Sequence, residues 1–371
     1  MSRRLVCLPH WRMFYPHLSV LRPTLLILSS QTVVRCVSRT SITDMSTSNL
    51  WRKIQVSQPG LKDGDEKINV DITVLDTHKH KAVTDVPTVI ALTGMPAQSD
   101  EFVPFCSHLP ERGVRLVVPY FPGAGPSTIT KWQVRHLDFS PEGQAQLLCA
   151  ILNKLDINRV DVLLCFSGGS WLGYKMAASS HMVKAVGFIS AVGARPQRIM
   201  RPPTLVRFAA WLFRIEWLQN SLMSLLAFYY RIHGLVDVTS GLHLVATLQV
   251  VSRIRFDKIP DYAAKIAKRK LPIFMACNRN DRIIQFKIME EMALKHMCIP
   301  EDCVIEYSEE NIPNKPPLKV FAGDWLARFL VFERGGHRIH KTQTAELVEQ
   351  ILDLIKHTQK HDKLGKADDR V

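Results

Sequence analysis

The chain has 371 residues, 46% hydrophobic and 8% aromatic, which suits a large core-forming domain with extras and excludes a disordered or fibrous polymer. Its net charge of +14 is distributed unevenly along the chain. The eight cysteines show no Cys-x-x-Cys and no zinc-type spacing, so no metal site, cofactor cluster or disulfide framework is expected.

Residues 1–43 carry six arginines (Arg3, Arg4, Arg12, Arg22, Arg35, Arg39) with no lysine and no acid. Together with their Ser, Thr and Leu content this reads as an N-terminal leader over 1–45 of the mitochondrial presequence kind. The alternatives are an unstructured leader or initiation at Met45, with the protein in the cytoplasm. The longest apolar piece, Leu25 to Leu28, is too short to cross a bilayer.

Past the leader, Lys67 to Leu75 alternates apolar and polar as a half-buried strand does. Val86 to Leu92 and Val114 to Val118 are short apolar runs of the buried parallel kind, each ending in a turn. Between them Asp100 to Leu109 looks helical. Ser140 caps a helix running from about Pro141 to Leu155. Val160 to Phe166 is a strand that runs straight into the small-residue helix begun by Ser167-Gly168-Gly169. Lys184 to Ser190, Leu271 to Cys277 and Arg328 to Glu333 are further strands, and Thr344 to His357 is a closing amphipathic helix. This alternation predicts an α/β fold with a mostly parallel central sheet and helices on both faces.

The predicted domains are the leader at 1–45, a core at 55–194 and 256–358, a helical cap or lid at 195–255, and a charged tail at 359–371. Within the cap, Arg195 to Arg231 sets six arginines against Glu216 alone, interleaved with Trp211, Phe213, Trp217, Phe228, Tyr229 and Tyr230. Apolar residues outnumber charges there and recur at helical spacing. That favours a lipid-surface contact or a pocket cover over a nucleic-acid face. Residues 299–326, polar and proline-bearing, read as a surface excursion.

Chemistry concentrates at three strand ends. Ser167 stands at the strand-to-helix corner, Asp281 follows the 271–277 strand, and His337 follows the 328–333 strand behind Gly335-Gly336. A serine hydroxyl needs a base to take its proton, and the base needs an acid to orient it. The order Ser167, Asp281, His337 fits that division of labour. The backbone N–H groups of Gly168 and Met95 are the expected oxyanion donors. Phe121, Trp171 and Trp211 are the expected substrate-binding side chains. Ser170 competes as nucleophile within Gly168-Gly169-Ser170.

Residues 60–195 and 265–358 resemble the α/β hydrolases. Leu92-Thr93-Gly94-Met95-Pro96 is similar to that superfamily's His-Gly-x-Pro oxyanion turn, with Thr93 in place of the His. Phe121-Pro122-Gly123-Ala124-Gly125-Pro126-Ser127 is similar to its Pro-Gly-x-Gly-x-Ser loop, and Gly335-Gly336-His337 to its Gly-His. Gly94 to Phe102 resembles a poorly characterised subgroup expanded in nematodes and other worms. The alignment of Gly173 and Ala177 with the superfamily's helix selects Ser167 over Ser170. Two positions depart from the pattern. Cys165 stands where the elbow has its first glycine, and Asn278 where a glycine precedes the acid by three residues.

The resemblance implies a serine hydrolase of the esterase or lipase type acting on a small hydrophobic, lipid-like ester. A serine corner argues against the aspartate-nucleophile relatives. Thr342 breaks the His-x-x-x-x-Asp pattern of the acyltransferase-like ones. The alternative is a weak or inactive relative, with Cys165 as the reason, that binds lipid or protein. Expected partners are the ester and, through the cap, a membrane surface, with no nucleic acid.

Overall fold

The computed structural model describes residues 48–58, 60–61, 67–78, 86–232, 241–314, 321–322 and 325–368. The expected leader at 1–45 lies outside them.

Nine strands form one sheet in the order β1-β2-β4-β3-β5-β6-β7-β10-β8, and a two-residue β9 pairs with β10. They are β1 (Trp51–Gln58), β2 (Ile68–Asp76), β3 (Thr88–Leu92), β4 (Arg115–Tyr120), β5 (Val162–Phe166), β6 (Val186–Ile189), β7 (Ile273–Asn278), β8 (Val304–Tyr307), β9 (Phe321–Ala322) and β10 (Trp325–Phe332). β1 and β2 are antiparallel to each other, and β2 is antiparallel to β4. From β4 across to β8 every pairing is parallel. The expected α/β fold is therefore present.

The parallel strands other than the edge strand β8 are buried along their whole length and mostly apolar, because helices cover both faces. Alternation of period two decides which face each residue serves. On β5, Leu163 and Cys165 pack with the helices Pro141–Lys154, Ser170–Ser179 and Ile259–Lys268. Val162, Leu164 and Phe166 pack on the other face, with Leu347, Val348, Ile351 and Leu354 of the helix Thr344–Asp368. The helix Pro141–Lys154 begins as expected, with Ser140 Oγ accepting from Gly143 N at 3.1 Å.

Three elements differ from the sequence expectation. β1 was not foreseen because Trp-Arg-Lys-Ile-Gln-Val-Ser-Gln is an edge strand with one half-buried face and no apolar run. The 299–326 excursion contains the edge strand β8 and the short β9, so it extends the sheet. The expected helix at 100–109 shrinks to Phe105–His108 because Pro104, at its N-cap, disfavours helical backbone in Val103 before it. Between β6 and β7 the chain inserts the helices Pro203–Leu212, Gln219–Ile232 and Gly241–Val251.

Candidate active site

Ser167 follows β5 and starts a tight turn into the helix Ser170–Ser179. Its φ of 47° lies in the left-handed region, a strained conformation for a residue with a side chain. The turn is possible because its neighbours have none. A Cβ on Gly169 would lie 2.5 Å from Thr93 O, and one on Gly168 would lie 2.8 Å from Met95 Cβ.

Asp281 and His337 arrive from the ends of β7 and β10. Gly335 and Gly336, at φ 134° and 66°, turn the chain back over the sheet. Gly336 N donates to Asn280 Oδ1 at 2.9 Å, and Ser190 Oγ donates to His337 O at 2.9 Å, which fixes the histidine backbone. His337 Nδ1 lies 2.8 Å from Asp281 Oδ2, and its Nε2 lies 2.8 Å from Ser167 Oγ. Asp281 Oδ1 also accepts from Ile283 N at 2.8 Å and Ile284 N at 3.0 Å. A carboxylate only accepts, so Nδ1 carries the ring proton and Nε2 is left to accept from the serine hydroxyl. Such a chain can draw the proton from Ser167 as its oxygen attacks.

Three residues chosen at separate strand ends are thus in one hydrogen-bonded line. Ser170 is excluded as a nucleophile. It is fully buried, its Oγ donates to Ser167 O at 2.6 Å, and it accepts from Val192 N at 2.9 Å. Met95 stands against Gly168, with Met95 N 3.1 Å from where a Gly168 Cβ would be. The two residues expected to supply donors are therefore neighbours next to Ser167.

A family model described as "Alpha/beta hydrolase of unknown function (DUF1057)" matches residues 49–356. The chain belongs to this α/β hydrolase family. No curated protein matches it. Among solved structures it is similar to an esterase from Exiguobacterium antarcticum, at 19% identity and a TM-score of 0.52, over 82% of this chain and 100% of that one. A thermophilic esterase from Thermogutta terrifontis matches at 17% identity and a TM-score of 0.52, over 83% and 99%. An enol-lactonase from Burkholderia xenovorans LB400 matches at 13% and 0.52, over 77% and 97%. These likenesses establish the fold.

In this α/β hydrolase a cavity of about 40 Å³ reaches the turn at Gly94 and Met95. That is room for about three waters at ~10–15 Å³ each. Phe121 and Trp171 line it, together with Phe139 and Ala246, Thr247 and Val250 of the inserted helix Gly241–Val251. Trp211 does not. It is 54% exposed on the helix Pro203–Leu212, away from the cavity lining. The buried face of that helix is the one carrying Ala210, so Trp211, expected to bind substrate, points elsewhere than the cavity.

Both departures from the superfamily pattern are accommodated. A Cβ on Gly173 would collide with Cys165 Sγ, so the thiol occupies space that the helix leaves open. Asn278 is the last residue of β7 and needs no left-handed backbone. Its Oδ1 accepts from Asn280 N at 3.1 Å.

Two functional-looking residues fall within the quoted motifs but have no role assigned from sequence. Glu101 is only 2% exposed, and its Oε2 accepts from Gly94 N at 3.0 Å, holding the Gly94–Met95 turn from behind. Burial pushes its carboxyl up to about 8, although the Gly94 N–H, Arg338 and Lys341 pull the other way. It sat inside the quoted Gly94–Phe102 run, and an acid seven residues after a turn glycine gives no local signal of burial. Ser127, the last residue of the 121–127 loop, donates to Tyr120 O at 2.6 Å and accepts from Thr73 N at 2.8 Å, which pins that loop to β2.

Proposed function

We propose that the chain is a serine hydrolase that cleaves carboxylic esters, and by the same route thioesters or amides, through an acyl-enzyme. Ser167 Oγ attacks the acyl carbon while His337 Nε2 takes its proton. The tetrahedral oxyanion is held by Gly168 and Met95 N–H. Collapse of that intermediate expels the alcohol, which takes the proton from His337. Water then repeats the sequence on the Ser167 ester and regenerates the hydroxyl. Asp281 keeps the imidazole in the productive tautomer throughout.

The observation that carries this reading is the double bonding of His337, 2.8 Å to Ser167 on one side and 2.8 Å to Asp281 on the other. The esterases and the lactonase among its structural neighbours are in keeping with it. The apolar cavity favours a hydrophobic acyl group, with Phe121 and Trp171 against it. At its present size it takes a short one. A lipid-length chain requires the inserted helices, acting as a cap, to shift.

Labelling with a fluorophosphonate probe tests the nucleophile. The intact chain is expected to label and Ser167→Ala not to. Equal labelling of both disproves the assignment, and no labelling of either turns the reading to a binding module. p-Nitrophenyl esters of rising chain length, with Ser167→Ala as blank, then grade the cavity.

On Gly94–Phe102 we also assign the chain to the worm-expanded subgroup, and on its arginine content we assign residues 1–45 to mitochondrial targeting. A reporter fused to that segment and left in the cytosol would refute the second assignment.

A further inference from the structure

The inserted helices present an outer face that the chemistry above does not use. Leu205, Phe208 and Trp211 recur every three residues on the helix Pro203–Leu212 and are all more than half exposed. Leu225 and Phe228 do the same on Gln219–Ile232, with Tyr229 beside them 39% exposed, and Trp217 between the two helices is 79% exposed. The five aromatic rings alone leave roughly 500 Å² open, at ~100 Å² each. That matches the largest apolar patches of ordinary monomers, which are often functional.

The charge along this segment is nearly all of one sign. Arg195, Arg198, Arg201, Arg207 and Arg214 are exposed, Arg195 is paired with Glu291 at 2.9 Å, and Glu216, paired with Arg135 at 2.9 Å, is the single acid between residues 192 and 232. Arg198, Arg207 and Arg214 have no carboxylate partner among the described residues. The opposite faces of the helices are committed inward. Ala210 and Phe213 are buried, and Ala210 O accepts from Gln249 Nε2 of the helix Gly241–Val251 at 2.7 Å. That third helix lines the cavity.

We propose that this face docks on an anionic lipid bilayer. Aromatic rings with arginines beside them suit the headgroup boundary, where rings enter the interface and guanidinium groups meet lipid phosphates and carboxylates. A second copy is disfavoured, because a two-fold contact would set arginines against arginines. Nucleic acid is disfavoured because the exposed side chains at the centre of the face are apolar. Docking would leave the docked helices and the helix Gly241–Val251 beneath them between the lipid and the cavity. The surface is independent of the hydrolase reading.

The test uses the full-length chain carrying Ser167→Ala, so that binding is read without turnover. It is spun down with phosphatidylcholine vesicles and with vesicles one-third phosphatidylserine, at low and high salt. Binding to the anionic vesicles, weakened by salt, is expected. Arg207→Gln and Arg214→Gln should each lower affinity about fivefold. Phe208→Ser with Trp217→Ser, both at exposed sites, should lower it tenfold or more. No binding to anionic vesicles, or binding that the aromatic substitutions leave unchanged, overturns the proposal. So does concentration-dependent dimerisation that those substitutions abolish, which would give the face to a second copy.

Discussion

Glu101→Gln is the substitution with the most distinctive expected signature. The carboxyl lies behind the oxyanion turn and holds its proton up to about pH 8 because burial disfavours the anion. In the unfolded chain it loses that proton near its ordinary value of 4.5. Between these two values the folded state binds one proton more than the unfolded state, so stability falls as pH rises. The slope is about 1.36 kcal/mol per pH unit, which gives roughly 5 kcal/mol across the window. The contribution is fully present below pH 4.5, is lost as pH rises to 8, and is constant above that.

Glutamine keeps an oxygen for Gly94 N–H and cannot ionise. At pH 5 the variant should lie within about 1 kcal/mol of the parent. At pH 9 it should be the more stable of the two, by several kcal/mol. Urea unfolding of both chains at pH 5, 7 and 9 measures this, and taking the difference cancels every other titrating group. A difference that does not change with pH would show that Glu101 ionises normally and is not held as described. Glu101→Ala separates the two roles of the side chain. It leaves Gly94 N–H buried without an acceptor at about 1–3 kcal/mol, and should lower kcat through the displaced Met95 donor.

Asp281→Asn should leave the fold intact and reduce kcat by roughly 10⁴-fold, since an amide at this site favours the wrong imidazole tautomer; a loss under tenfold would remove Asp281 from its role. Gly173→Ala forces a methyl group into Cys165 Sγ and should cost about 1–3 kcal/mol in thermal or urea unfolding. Adding Cys165→Gly should recover most of that, and strictly additive effects would refute the complementarity of the pair. Ser127→Ala strips partners from Thr73 N and Tyr120 O, for about 1–3 kcal/mol per orphaned group, with little change in kcat if the loop stays in place. An unfolding curve indistinguishable from the parent would contradict the pinning role.

What the sequence made legible follows from where its physics is local. The parallel strands are buried on both faces, so β3, β5 and β7 appear as unbroken apolar runs. Ser167, Asp281 and His337 each follow such a run, and for the last two the turn residues beside them add to the signal. β1 and β8 were hidden because an edge strand has one dry face at most, and the pairing that makes it a strand lies far along the chain. Trp211 failed for a related reason. Helical spacing tells which residues share a face, but the direction of that face is set by what packs beneath, here Ala210 against Gln249.

Cys165 shows the limit most sharply. Alone, a side chain at the first glycine of the elbow argues for a damaged site. In the fold the same residue lies over Gly173, eight positions later on the neighbouring helix, and the missing Cβ of one makes room for the thiol of the other. A motif scored position by position registers one loss. The packed pair registers none, because what the corner requires is a fixed volume between strand and helix, and either partner can supply the small side. The geometry at Ser167, with its φ of 47° and its bond to His337, is what that volume protects.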